Sequence, residues 1–217
     1  MLIVVVDSAT PAITAALAEV TDADARLLAR RVTVDARAHG ELLAPAIEAV
    51  LQESGVRPRE LGAVVAGVGP GPFTGLRVGL VTAAALADSL AIPAYGVGTL
   101  DAIGWATTGR VLVATDARRK EVYWAVYENG RPVTGPAVDK PASLDVEVDH
   151  AVGDGALHYA SVLRVPVRDE PRYPPAEGLV ALAAGRIRDK APTEPLTPLY
   201  LRRPDAVEPG TRKAVLP

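Results

Sequence analysis

The apolar positions near the start of the chain are spaced as in buried strands. Residues 2–6 form a short β-branched run that predicts a strand ending at Asp7. Residues 12–17 and 25–34 are also strand-like, and the polar stretch 21–24 between them predicts a turn. We therefore expect the chain to open with three consecutive strands.

From about residue 40 onward, helical and strand-like spacings follow one another. A helix is predicted to start close to Gly40, because Pro45 is tolerated only near a first helical turn, and Gly55 is its stop signal. The pattern then predicts a strand at 63–69 and a helix at 74–90 that is capped by Thr74. A second strand at 94–98 and a second helix at 100–106 follow. Helices that follow strands in this way are typical of an α/β sheet with crossover connections.

The opening pattern recurs in the middle of the chain. An apolar strand that ends in aspartate, a short turn and a second strand begin at Val4 and again at Val113. Asp7 and Asp116, which end the two first strands, lie half a chain length apart in a sequence of 217 residues. This repeat predicts a duplicated fold with two lobes, the first at 1–106 and the second at 107–217.

The second lobe is expected to be a reduced copy of the first. Thirteen of the 19 prolines lie after residue 130, and proline interrupts both helices and central strands. Residues 151–157 predict one strand with a glycine turn, and residues 176–187 predict one helix. The polar stretch from Arg202 onward is expected to fray.

Composition narrows the range of functions. The net charge of −3 and the aromatic content of 4% do not favour nucleic-acid binding by the chain alone, so the basic residues at 118–120 and 202–203 are interpreted as solvated surface. The absence of cysteine excludes disulfides, thiolate nucleophiles and cysteine-bound zinc. The start lacks the basic region of a signal peptide, and no run reaches the roughly 18 apolar residues of a membrane span. A cytoplasmic protein is expected.

The stretch "VGPGPFTGLRVG" at 68–79 raises the question of a phosphate-binding loop. It departs from the dinucleotide-binding and P-loop templates, since its third glycine is one place late and no lysine precedes residue 120. Free amides at the helix start leave an anion site open as one interpretation. The other is close packing, because small residues recur on one helix face, at Gly75, Gly79, Ala83 and Ala87. That face could pack on the protein's own sheet or on a partner's helix.

Candidate catalytic chemistry is sparse. Asp7 and Asp116 could hold Mg²⁺ in a nucleotide cleft, or could simply accept hydrogen bonds from backbone amides in the following turns. The three histidines, His39, His150 and His158, do not form a helical metal pair. The spacing does not assemble a Ser/His/Asp set either.

Several stretches together resemble the TsaB family, the dimerization subunits of the bacterial tRNA threonylcarbamoyladenosine machinery. They read "VVDSAT", "GVGPGPFTGLRVGLVTAAALA", "IPAYGVGTLDAI", "DARRKEVYWAVY" and "PLYLR". The resemblance covers most of the first 130 residues. It implies the two-lobed fold of actin and the sugar kinases, with a duplicated βββαβαβα unit, in agreement with the repeat of Asp7 and Asp116.

The resemblance also implies a role and a missing metal site. TsaB is similar to TsaD, which transfers threonylcarbamoyl to adenosine 37 of tRNAs that read codons beginning with A. Thr99 and Ile103 stand where TsaD carries the two histidines of its metal site, and neither binds metal well. A non-catalytic subunit that binds and activates TsaD is therefore expected, without metal or cofactor. The alternative is a small Mg-nucleotide-dependent phosphotransferase of the same fold.

Partner and site residues follow from the resemblance. The helices of the first lobe are expected to contact a TsaD-like catalytic subunit through Leu42, Leu43, Ala46, Val50, Gly75, Leu76, Gly79 and Ala83. A vestigial nucleotide site is expected at Asp7, Gly69, Gly71 and Asp116. A TsaE-like ATPase is expected in the full complex, tRNA is expected to be reached only indirectly, and a homodimer of the lone protein is left open.

Overall fold

The computed structural model of the chain describes residues 1–202. The first sheet begins with an antiparallel meander of β1 (Leu2–Asp7), β2 (Ala12–Val20) and β3 (Ala25–Val34). β4 (Leu61–Gly67) pairs in parallel with β1, and a fifth strand completes the sheet, β5 (Ala94–Val97). The order is β3-β2-β1-β4-β5, and the three predicted opening strands are confirmed.

Three helices follow the strands of this sheet as predicted. They are α1 (His39–Glu53), α2 (Phe73–Leu90) and α3 (Thr99–Trp105). The predicted N-cap at Thr74 is wrong, because α2 already begins at Phe73 and no side chain caps it. Pro72 precedes the helix with an extended backbone, so the helical turn starts one residue earlier than the sequence indicated.

The second sheet repeats this plan with fewer elements. It contains β6 (Arg110–Asp116), β7 (Val122–Glu128), β8 (Arg131–Asp139) and β9 (His150–Val152), in the order β8-β7-β6-β9. β6 pairs antiparallel with β7 and parallel with β9, as β1 pairs with β2 and β4. The predicted α/β fold with a duplicated, reduced second lobe is confirmed.

Two details of the second lobe differ from the prediction. β8 contains Pro132 and Pro136 and was not predicted, but it is an edge strand, where a missing amide donor is tolerated. The strand and glycine turn predicted over 151–157 are present as β9 and Gly153, which has φ 103°. The short helix that follows directly, α4 (Asp154–His158), was not predicted.

The hydrophobic cores link the two halves of the chain. α1 and α2 cover one face of the first sheet, and α5 (Ala176–Arg188) covers the other face, where Leu179 packs with Ile3 and Val5. α3 packs on the second sheet through Leu100 and Ile103. The lobe boundary predicted near residue 106 therefore lies between the two sheets, but helices from each side of it pack on the sheet of the other side.

The chain after α5 runs back across both sheets, and we call residues 191–202 the C-terminal strap. Glu194 accepts a hydrogen bond from the Arg186 guanidinium at 2.7 Å, close to β5. At its other end, the Arg202 guanidinium pairs with the Glu121 carboxylate at the start of β7. The strap therefore ties the first lobe to the second. The predicted frayed tail lies almost entirely outside the described residues.

By length and composition α2 could cross a membrane, which the sequence prediction did not anticipate. Among the described residues it is the one helix with this property. Its buried side, which includes Leu76 and Leu80, packs against the first sheet, and core helices of many soluble proteins pass the same test.

Candidate functional site

The end of β1 carries a carboxylate that is completely buried. The Ala9 amide donates to one oxygen of Asp7 at 2.8 Å, and the Thr99 hydroxyl donates to the other at 2.8 Å. Burial raises the pKa of Asp7 to about 6, although these two hydrogen bonds and the nearby His39 oppose the increase. Both oxygens are satisfied within the protein, so Asp7 holds the turn after β1 together and does not face a ligand.

Thr99 connects this carboxylate to the glycine turn. Its hydroxyl accepts the Gly69 amide at 3.2 Å while donating to Asp7. Ile103, one helical turn later, is fully buried against the second sheet. The residues at the two positions where the resemblance places metal-binding histidines therefore serve hydrogen bonding and core packing. Among residues 1–202, no group of three His, Cys, Asp or Glu side chains could hold a metal ion.

The glycine turn packs against the turn after β1. Gly71 lies so close to the Ala9 carbonyl that a Cβ at Gly71 would collide with it. Gly69 has φ 89° and its carbonyl accepts the Thr99 amide at 2.8 Å. Backbone thus fills the space in front of the turn, and the phosphate-loop interpretation is not supported at this position.

The second predicted aspartate lies at the end of β6 beside another acid. Asp116 accepts the Arg118 amide at 3.0 Å and lies 3.5 Å from the Arg118 guanidinium. Asp154, at the start of α4, is buried and one of its oxygens has no partner among the described residues. Burial raises the pKa of Asp154 to about 6, and the negative charge of Asp116 adds to the increase. Asp116 is thus coupled to Asp154, a residue that the sequence did not single out.

The cleft between the lobes is almost closed. Asp116 and Arg118 line a cavity of about 30 Å³ together with Ser8, Thr10 and His39, and Asp7 does not reach it. Ligand pockets usually measure about 300–1,000 Å³, at least about tenfold more than this cavity. The arrangement does not accommodate a nucleotide, so the predicted vestigial site at Asp7, Gly69, Gly71 and Asp116 is not an open one.

The predicted partner residues lie inside the first lobe. Gly75 and Gly79 pack against Ser8, and a Cβ on Gly75 would lie 2.7 Å from the Ser8 carbonyl oxygen. Six of the eight predicted residues are buried and two are partly buried, so they cannot form a free surface. The buried ones are Leu43, Val50, Gly75, Leu76, Gly79 and Ala83, and the partly buried ones are Leu42 and Ala46. The glycine ridge therefore serves packing within the protein.

Comparison with known proteins identifies the family. The sequence model of TsaD, tRNA N6-adenosine threonylcarbamoyltransferase, matches residues 26–169, which is well over half of the chain. The chain belongs to the TsaD family. An uncharacterized protein of Mycobacterium tuberculosis is 50% identical over 204 residues, covering 94% of this chain and 93% of that protein.

Within the TsaD family the chain is a TsaB-like member. TsaB of Escherichia coli, a tRNA threonylcarbamoyladenosine biosynthesis protein, is 36% identical over 119 residues, 52% of each chain. The structure of YeaZ from Pseudomonas aeruginosa superimposes with a TM-score of 0.77 at 28% identity and covers 92% of this chain and 99% of that one. The expected TsaB resemblance and fold are confirmed.

In this TsaB-like chain the exposed side of α2 is opposite the glycine ridge. We call it the outer face of α2 and define it by five exposed residues, Phe73, Arg77, Val81, Ala84 and Asp88. Thr74, Ala85 and Ser89 of the same helix are exposed as well. The helical spacing of these residues, opposite the glycine ridge, is the sequence signal that could have predicted an exposed face. The sequence prediction used the small residues of the ridge instead, and these lie on the buried side.

An aromatic and cationic cluster occupies the start of the outer face. The Arg77 guanidinium carbon lies 3.6 Å from the centre of the Phe73 ring, and Arg77 donates to the Tyr200 hydroxyl at 2.7 Å. The Phe73 and Tyr200 rings stack with centres 5.5 Å apart. Stacking fixes Arg77 in one conformation at the surface, which lowers the entropy lost when a partner binds it.

The turn between β6 and β7 has an unusual backbone. Arg118, Arg119 and Lys120 have φ values of 64°, 55° and 64°, so three successive non-glycine residues are left-handed. Each such residue costs about 1–2 kcal/mol relative to a right-handed conformation. Two hydrogen bonds of 3.0 Å close the turn, since the Ala117 amide donates to the Glu121 carbonyl and the Glu121 amide donates to the Arg118 carbonyl. The sequence analysis interpreted residues 118–120 as solvated surface charge and did not predict the left-handed backbone.

Proposed function

We propose that this protein is a non-catalytic subunit that binds and activates a TsaD-like catalytic partner. The partner would transfer threonylcarbamoyl to N6 of adenosine 37 in tRNAs that read codons beginning with A. The observation that carries the proposal is the state of Asp7 and Thr99, whose polar atoms satisfy each other in the protein interior, while the neighbouring cleft measures only about 30 Å³. A chain with these contacts keeps the fold of the family without an open reaction site.

The outer face of α2 is the proposed partner surface. Arg77 and Asp88 lie at its two ends, with Val81 and Ala84 between them, and Val81 is 66% exposed. An antiparallel helix with a similar pattern would bring opposite charges together at both ends, and the small alanine permits close approach. The TsaD family model matches a region that includes α1 and α2, so a TsaD-like partner carries corresponding helices. We place this contact in the cytoplasm.

Other members of the assembly remain part of the proposal. A TsaE-like ATPase would join the complex, and the same outer face could pair two copies of this chain when the partner is absent. The alternative, a small Mg-nucleotide-dependent phosphotransferase, requires a nucleotide cleft, and the cavity of about 30 Å³ between the lobes does not favour it.

The first prediction is that the lone protein neither modifies tRNA nor hydrolyses ATP, whereas it restores tRNA modification to a TsaD-like partner from the same organism. Val81→Glu should abolish co-elution with the partner and the modification, because a charge is placed in the apolar centre of the outer face. The readouts are size-exclusion chromatography and mass spectrometry of tRNA nucleosides.

Val32→Glu is the matched control, since Val32 is 50% exposed on β3 and lies on another surface. It should leave co-elution and modification intact. Threonylcarbamoyl-tRNA formed by the protein without a partner would overturn the proposal. Complex formation that survives Val81→Glu would move the contact away from α2.

A further inference from the structure

The strained turn between β6 and β7 keeps long cationic side chains where glycine would be more favourable. Arg118 and Lys120 both have φ 64°, a conformation that glycine adopts without steric conflict. Strain of this kind persists when the surrounding structure enforces it, and it concentrates at functional positions. The turn is thus a place to look for a function that needs positive charge in a fixed geometry.

Neighbouring contacts hold the turn in one conformation. Ala117 is 1% exposed and anchors it in the core of the second sheet. Asp116 accepts the Arg118 amide at 3.0 Å, and the Arg202 guanidinium donates to the Arg118 carbonyl at 3.3 Å. The cationic side chains are therefore presented by a preorganised backbone, which reduces the entropy lost on binding an anion.

The charge of the turn faces outward. Arg118 and Lys120 are exposed, and no residue in the described part of the chain forms an ion pair with Lys120. Among the described residues, the carboxylate paired with Arg118 is Asp116, at 3.5 Å. The Arg118 side chain is 56% exposed and the contact is long, so the pair competes weakly with another anion. Because the adjacent cavity measures only about 30 Å³, an anion that meets these cations must lie on the surface and not in the cleft.

A second arginine lies beside Asp154, whose amide donates to the Arg172 carbonyl at 3.0 Å. Arg172 lies over the Tyr173 ring at 5.3 Å, and both interact electrostatically with Asp154, which in turn is coupled to Asp116. Arg172 is exposed and Tyr173 is partly buried, and arginine next to an aromatic ring is found on surfaces that contact nucleic acids. The polyanion that the proposed function brings to the assembly is tRNA.

We propose that the β6–β7 turn contacts phosphate groups of the tRNA backbone when the chain is bound to its catalytic partner. This inference rests on the proposed function, and it replaces the expectation that the chain reaches tRNA only indirectly. The net charge of −3 explains why the contact would be too weak to hold tRNA without the partner.

Lys120→Gly tests the inference because it removes one charge and relieves one strained residue. The variant should melt at a higher temperature, by about 2–4 °C. In complex with the TsaD-like partner it should bind an unmodified tRNA transcript about three- to tenfold more weakly at physiological salt. The slope of log affinity against log salt concentration should fall by about one.

The chain provides a matched control in Lys190→Gly. Lys190 is also exposed and left-handed, with φ 49°, but lies after α5. This variant should gain stability and leave tRNA affinity and its salt slope unchanged. Equal tRNA affinity for Lys120→Gly and the unmodified chain would overturn the inference, and so would an equal loss in the two variants.

Binding of the partner is measured separately by co-elution without tRNA. Lys120→Gly should co-elute as the unmodified chain does. Loss of co-elution would make the turn a protein contact and would overturn the RNA assignment alone. If the unmodified chain did not bind the partner, the proposed function itself would fail, and this inference with it.

Discussion

At the residue level, Asp7 and Asp154 are buried carboxyl groups whose pKa values are both raised to about 6, with burial as the largest cause. A raised pKa means that the folded chain binds a proton more tightly than the unfolded chain between about pH 4 and pH 6. Each group therefore lowers the free energy of unfolding as the pH rises through this window. Below about pH 4 the destabilisation by the buried charge is absent, and above about pH 6 it is fully present.

Asp154→Asn should raise the free energy of unfolding at pH 7 by up to about 3 kcal/mol. The neutral amide removes the cost of burying a negative charge, and the repulsion by Asp116 disappears. The gain should shrink towards zero near pH 4, which urea unfolding at several pH values would measure. Asp169→Asn, an exposed change, is the control, and a variant no more stable than the unmodified chain at pH 7 would contradict the argument.

At the element level, the glycine ridge of α2 packs in the core and its outer face is the proposed partner surface. Gly79→Leu distinguishes these two roles. A Cβ on Gly79 would collide with the Ser8 hydroxyl, so this larger side chain overpacks the core by about 1–3 kcal/mol. The melting temperature should fall by about 3–10 °C, while binding of the partner per folded molecule is preserved. Calorimetry and co-elution measure the two quantities.

Ala84→Leu is the matched change on the outer face of α2, where Ala84 is exposed. It should leave the melting temperature nearly unchanged and weaken binding of the partner. The reverse outcome, in which Gly79→Leu folds normally and loses the partner, would return the interface to the glycine ridge.

The elements of the first lobe were largely predictable because local patterns determine them. β1 and the turn before β3 follow from β-branched runs and turn residues, and the spacing of α2 follows from its apolar positions. The orientation of α2 did not follow, since small residues suit either a core or an interface. Whether Asp7 faces a ligand or a hydrogen-bond donor also depends on Thr99, which is distant in the sequence.

At the level of the whole molecule, the ion pair between Arg186 and Glu194 is one of the contacts through which the C-terminal strap contributes to stability. Arg186 donates two hydrogen bonds to Glu194 and one to the Gly96 carbonyl at 3.0 Å. Glu194→Ala should reduce the free energy of unfolding by about 1–2 kcal/mol, allowing for partial exposure, because it leaves the guanidinium without its carboxylate. Glu19→Ala removes the more exposed pair with Arg26 and should cost less than about 1 kcal/mol.

Urea unfolding of the two variants measures this difference. Equal effects would show that the strap is held by packing and not by the ion pair. The position of the strap was not predictable from local patterns, because Glu194 and Arg202 have their partners in β5 and the β6–β7 turn, about 80 to 100 residues away in sequence.

The packing of α5 on the first sheet has a consequence for the chain as it leaves the ribosome. The sheet is complete in sequence at Val97, but the helix that covers Ile3 and Val5 ends only at Arg188. At translation rates of about 5–20 residues per second, α5 is synthesised roughly 5–20 s after the sheet whose side chains it covers. During that interval the exposed apolar face can aggregate or bind chaperones. The nascent protein is protected from aggregation only when the last quarter of the chain has been synthesised.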